Sequence, residues 1–143
     1  MKSFFVAGTP ISKGSAKSFF SKKSGSIVTM QDNRDRQRPW SSLISYTAQQ
    51  VGCQPLNGPV SLTLKFYMPR PKNHYGTGRN ARTLKLSAPK YHTSTPDLDK
   101  LIRCVKDALT GVAWKDDKQV CVMPRTEKIY GDTPGVYIEI KEA

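Results

Sequence analysis

The sequence predicts a single α+β domain in which a mixed β-sheet packs against two main helices. Three observations point there. Residues 60–68 alternate, with Val60, Leu62, Leu64 and Phe66 on one side and Thr63 and Lys65 on the other, the period of a half-buried strand. Leu98, Leu101, Ile102, Val105 and Leu109 instead share one stripe at about 100° per residue, with Ala108 at its edge, the pattern of an amphipathic helix. β-rich stretches lie near both ends of the chain, and 143 residues suffice for one buried core.

The elements follow in order. Ser3 to Ala7 reads as a strand, turned by Gly8-Thr9-Pro10 and followed by a basic loop around Lys13. Ser18-Phe19-Phe20 and Ser26 to Met30 are short strands, and Lys22-Lys23-Ser24-Gly25 between them has hairpin chemistry. A helix comes next, capped by Asp32 or Asn33, with Trp40, Leu43, Ile44 and Ala48 at helical spacing. Pro39 suits its first turn, and Gly52 stops it. After the strand at 60–68, residues 69–95 show no periodicity. They carry six Lys and Arg and two histidines but no acid, and read as a mobile basic flap that orders on phosphate. The helix at about 98–109 ends at Gly111. Gln119 to Met123, extending toward Ile129, and Val136 to Ile140 are the last strands, with a turn at 131–135. No second domain or internal repeat is visible, so 1–143 is read as one domain.

An apolar content of 37% and a charged content of 24% describe a soluble globular chain. No stretch approaches the roughly 18–20 apolar residues that cross a bilayer. The apolar run after Met1 is too short for a signal peptide and reads as a first strand; the cysteine usage makes a reducing cytoplasm the expected location. Cys53, Cys104 and Cys121 are odd in number and form no C-x-x-C pair. They read as small buried side chains in a reducing compartment, not as a disulfide framework or zinc site.

Charge is the informative part of the composition. The net charge is +12, and residues 1–96 hold fifteen Lys and Arg against only Asp32 and Asp35. Such a one-sign field concentrates polyanions, so nucleic acid is the expected partner. Membrane binding fits less well, because no basic amphipathic helix stands out. Lys13, Lys17, Arg70, Lys72, Arg79, Arg82, Lys100 and Lys106 are the candidates for phosphate contact.

Five of the eleven acids then fall within 97–117, among them the pairs Asp97-Leu98-Asp99 and Asp116-Asp117. Clustered carboxylates oppose binding to a polyanion, but they suit a metal ion held where a phosphate reacts. Inside a regular helix Asp97 and Asp99 would point about 200° apart. They converge only if Asp97 sits at or before the N-cap, and Pro96 places a helix start at about this point. The competing reading is ordinary capping of a helix N-terminus. The link 111–117 is short enough to return the second pair toward the helix if the next strand packs beside its N-terminus; otherwise Asp116-Asp117 is a polar turn. All-oxygen ligands favour a hard cation, Mg²⁺ or Mn²⁺, over zinc, and such a site suits phosphodiester hydrolysis. Arg103 and Lys106 share a flank with Asp99. Arg103 either holds a phosphate or forms an (i, i+4) surface pair.

At these residues the sequence resembles the RusA family of Holliday-junction resolvases. The matching runs are Pro96-Asp97-Leu98-Asp99-Lys100-Leu101, Lys106-Asp107-Ala108-Leu109-Thr110-Gly111, and Trp114-Lys115-Asp116-Asp117-Lys118-Gln119-Val120, with Gly8-x-Pro10 and Lys13 near the start. The resemblance implies a RusA-like fold and a homodimeric, Mg²⁺-dependent endodeoxyribonuclease. It would cut four-way DNA junctions by paired symmetric nicks, in recombination and repair, in a bacterial cell or from a phage or prophage genome. Carried over by position, Asp97, Asp99 and Asp117 are metal ligands and Asp116 is an adjacent, participating acid. Arg103 falls where members carry a catalytic lysine, and Lys100 replaces the usual asparagine. The alternatives are a non-catalytic basic nucleic-acid-binding protein and a less selective nuclease for flaps or branched DNA.

Overall fold

The strand at the centre of the sheet is the one whose sequence alternates most clearly. In a computed structural model, which describes the backbone of residues 1–12, 16–21, 25–31 and 34–143 and the side chains of 1–12, 25 and 36–143, β4 (Val60–Met68) buries Val60, Leu62, Leu64 and Phe66 completely. Each such side chain contributes about 1.5–3 kcal/mol by leaving water. On one side β4 pairs antiparallel with β7 (Gly135–Glu142), which in turn pairs antiparallel with β1 (Lys2–Ala7). On the other side it pairs in parallel with two short strands in succession. β5 (Val120–Val122) meets its beginning at Val60, and β6 (Glu127–Tyr130) meets its end at Lys65 to Met68. The sheet is therefore mixed and five-stranded. A separate antiparallel ribbon is formed by β2 (Ala16–Ser21) and β3 (Ser26–Gln31).

Two helices cover one face. α1 (Arg34–Gln50) contributes Trp40, Ile44 and Ala48 to the core, and α2 (Leu98–Leu109) contributes Leu101, Cys104, Val105, Ala108 and Leu109. The helices meet through small residues: Ser41 Oγ lies 3.6 Å from Cys104 Sγ, and Ser45 Oγ donates to the Ala108 carbonyl. Phe4, Val6, Val136, Ile138 and Ile140 complete the core from the outer strands. A Cβ on Gly135 would collide with the Phe5 ring and the Val6 carbonyl, so the β1–β7 contact requires glycine there. The architecture is one compact α+β domain with a mixed sheet and two main helices, as the sequence predicts.

Four expectations need correction. α1 already runs from Arg34, so Pro39 lies inside it; the proline is exposed, where water can serve the carbonyl that its missing N–H leaves without a partner. Leu43 is 42% exposed and not part of the α1 stripe, because the true buried spacing is 40, 44, 48. The β-rich stretch after Gln119 is two strands, interrupted at Pro124 and at Arg125, whose φ is +48°. Cys53 and Cys104 are buried, but Cys121 is exposed on a strand that meets β4 only at its first residues. The expected caps of α1, Asp32 and Asn33, and the basic residue Lys13 lie outside the described residues, as does the side chain of Lys17.

Residues 69–95 contain two single turns of 3-10 helix, Lys72–His74 and Gly78–Asn80. Tyr75 and Leu84 bridge the segment in antiparallel fashion, and Tyr91 bridges to Ile129 of β6.

Candidate metal and nucleic-acid site

α2 starts at Leu98, with Asp97 as its N-cap in extended conformation, φ −69° and ψ 144°. The Asp97 carbonyl accepts the first helical hydrogen bond, from Leu101 N–H. Its carboxylate, however, makes no capping bond. That departs from ordinary capping, in which the side chain satisfies an N–H of the first turn. The carboxylate is 61% exposed and lies 3.8 Å from Lys100 Nζ. Asp99 is exposed in the first turn, and Arg103, one turn further, is exposed as well. Lys106 is half-buried near the C-terminal end.

The approach to Asp97 is held by a residue that sequence reasoning missed. Lys128 of β6 reaches from the sheet and donates to the carbonyls of Ser94 at 2.7 Å and Pro96 at 2.6 Å. Desolvation lowers the pKa of this ammonium, and the nearby Asp97 charge opposes the shift. Nothing in a four-residue strand announces such a contact; the lysine reads locally as a solvated charge.

The second acidic pair is placed differently. Trp114 is fully buried, and its indole N–H donates to Thr110 Oγ1, folding the link back on the C-terminal end of α2. Asp116 then caps a 3-10 turn, Asp117–Gln119, by accepting from Lys118 N–H at 3.0 Å. This bond, aided by the Lys118 charge and by Asp117, holds the Asp116 carboxyl below its ordinary pKa. Gln119 completes the cap: its Oε1 accepts from Lys115 and Asp116 N–H, while its Nε2 donates to the carbonyls of Leu56 and Gly58. Asp117 remains on the exposed surface. The turn is thus fastened to the segment that leads into β4.

Asp97 and Asp99 lie at one end of α2, and the Asp116–Asp117 turn follows Trp114 at the other. Twelve helical residues separate these ends by about 18 Å. The sheet agrees, since Val120 pairs with Val60 whereas Lys128 pairs with Phe66, six residues or about 20 Å along β4. Among the described residues no group of three or more His, Cys, Asp or Glu is close enough to hold a metal ion. Each end carries exposed carboxylate oxygens, donors of the kind a hard cation takes.

The basic segment roots beside the same site. The Tyr130 ring is edge-on to His74 at 4.8 Å and to His92 at 5.0 Å, with the Arg70 guanidinium 5.1 Å from its centroid. Arg70 also donates to the Pro89 carbonyl at 2.8 Å. Burial, followed by the Lys128 charge, lowers the pKa of His92. Arg70 is therefore engaged in holding the segment, whereas Lys72, Arg79 and Arg82 are exposed on it. No described helix is long and apolar enough to cross a membrane.

Residues 8–141 match the family described as Endodeoxyribonuclease RusA. The chain is also 32% identical over 147 residues to the uncharacterized protein YqaN of Bacillus subtilis (strain 168), an alignment that covers 97% of this chain and 94% of that one.

Proposed function

The chain belongs to the RusA family of endodeoxyribonucleases, and from that premise we propose that it is a Mg²⁺-dependent homodimer that resolves four-way DNA junctions in the bacterial cell by paired, symmetric nicks, in recombination and repair. The observation that carries this reading is the Asp97 carboxylate, at an N-cap yet not spent on capping, with Asp99 in the next turn. Asp117 supplies the further carboxylate, and Asp116 orders the turn that presents it.

The separation of the two pairs gives the dimer a chemical reason. Ligands held at opposite ends of a twelve-residue helix cannot share one ion. A two-fold axis that sets Asp97 and Asp99 of one protomer beside Asp117 of a second copy completes two equivalent sites at once. Two symmetric sites match two opposed strands of a four-way junction.

When bound there, Mg²⁺ supplies a polarised water and stabilises the departing oxygen. The chain's own groups do the rest. Asp97 and Asp99 would hold the ion at the start of α2. Arg103 meets the phosphate as a fixed cation; it does not donate a proton, because guanidinium stays protonated. Lys100 and Lys106 continue the cationic flank, and Lys72, Arg79 and Arg82 bind the arms.

The test is cleavage of a synthetic four-way junction, a flap and a linear duplex, each with Mg²⁺, with Mn²⁺ and with chelator. Nicking that needs the metal and favours the four-way junction supports the reading. Cleavage of flaps at equal rate replaces it with a less selective nuclease, and salt-dependent binding without any nicking replaces it with a binding protein.

A further inference from the structure

The basic segment 69–95 presents an exposed apolar side chain on a turn. Residues 85–88 form a turn closed by Ala88 N–H to the Lys85 carbonyl at 3.1 Å, and Leu86 is the first of its two central residues. Its exposure is 107% of the reference value, so it is covered by none of the described residues; Leu84, two residues earlier, is 44% exposed.

This turn is braced. Lys85 N–H donates to the His74 carbonyl at 2.9 Å, and Gly76 N–H donates to the Thr83 carbonyl at 3.0 Å. At the root, Tyr130 N–H donates to the Lys90 carbonyl and His92 N–H to the Lys128 carbonyl. Lys128 is also the residue that holds Ser94 and Pro96 ahead of Asp97. The apolar turn and the acidic residues at the start of α2 therefore share one support, β6. A cleft of about 630 Å³ adjoins the turn at Lys85; it is also lined by Lys72, Tyr75 and Thr77 and, among the described residues, by no carboxylate.

We propose that Leu86 is a wedge that enters branched DNA where the arms part and unstacks a base there, the Lys72–Lys85 cleft giving the displaced nucleotide room. The inference rests on the junction-cleaving reading above. Stacked duplex hides its base faces, whereas a branch point exposes them, and apolar side chains delivered by basic elements enter between base steps. The all-basic surroundings select a nucleic acid over a protein as the occupant.

The experiment uses the full-length protein, metal-free so that the DNA stays intact, and a four-way junction carrying 2-aminopurine beside the branch point. A duplex carrying the same label is the control. The wild type is expected to raise the fluorescence of the junction but not of the duplex. Leu86→Ser should bind duplex as the wild type does, lose the rise, and bind the junction about tenfold more weakly. Leu86→Phe should retain the rise. A full rise and unchanged affinity in Leu86→Ser would overturn the wedge. So would a fall to monomer by light scattering, which would make Leu86 a contact between copies. The wild-type arm reads the functional proposal alone: no preference for junction over duplex removes that proposal, and the wedge with it.

Discussion

Lys128 holds Pro96: its ammonium donates to the Pro96 carbonyl at 2.6 Å, one peptide before Asp97. The lysine sits on β6, paired with Phe66 of the central strand, so the start of α2 is tied to the rigid middle of the sheet. Because Lys128 also donates to Ser94, the whole approach to Asp97 is gripped at two points.

Replacing Lys128 with Met should therefore loosen the Asp97 side of the site without removing a ligand. The expected outcome is a metal requirement raised about 10–100-fold, the effect of losing a residue that orients a ligand. Duplex binding should change little. Titration of cleavage against Mg²⁺ checks this, and Lys128→Arg should recover part of the loss.

Asp97→Asn and Asp117→Asn should each lose more than about 100-fold in cleavage while retaining junction binding, because each removes a proposed ligand and not a cation. Binding by gel shift alongside cleavage separates the two effects.

Mixing those two variants tests whether the sites are shared. With sites built across a dimer, a heterodimer of Asp97→Asn and Asp117→Asn holds one fully intact site and one doubly damaged one. It should nick one strand of the junction. If each chain forms its own site, every site in the mixture is damaged and no activity returns.

Arg79→Ala combined with Arg82→Ala should weaken binding of all DNA forms. The slope of log affinity against log salt should fall by about 2, since each arginine that neutralises a phosphate adds close to one to it. An unchanged slope would show that both arginines are only solvated.

Asp116 makes stability depend on pH with a definite sign. Its folded pKa lies below the ordinary value of 3.8, because Lys118 N–H bonds the charged form. Its contribution is present above about pH 4 and is lost as pH falls through the folded pKa. Asp116→Ala should be less stable than the wild type at neutral pH, with the gap narrowing in acid. Urea midpoints measured across that range check the direction.

The helices and the central strand were readable because their signals are local. Leu101, Val105 and Leu109 follow the helical period, and Val60 to Phe66 the strand period, so each element's buried face is written into a few neighbouring residues. The start of α2 was readable for the same kind of reason. Pro96 restricts the residue before it, and an N-cap residue is extended, which separates Asp97 from the helix that carries Asp99. The RusA resemblance also rests on short runs at 96–101, 106–111 and 114–120, each contiguous in the chain.

What stayed hidden depends on long-range pairing. The short link 111–117 leaves open to which end of α2 it returns. That is settled by Trp114 packing on Thr110 and by Gln119 binding the carbonyls of Leu56 and Gly58, far away in the chain. Parallel pairing of β4 with β5 and then β6 puts Asp117 at the start of the central strand and Lys128 near its end. Lys128, Tyr130 and Leu86 carry no periodic or motif signal, since their surroundings are created only when distant segments meet. Local sterics and hydrophobic period are properties of a few adjacent residues and survive in the unfolded chain. The distance between two carboxylate pairs is a property of the packed sheet alone.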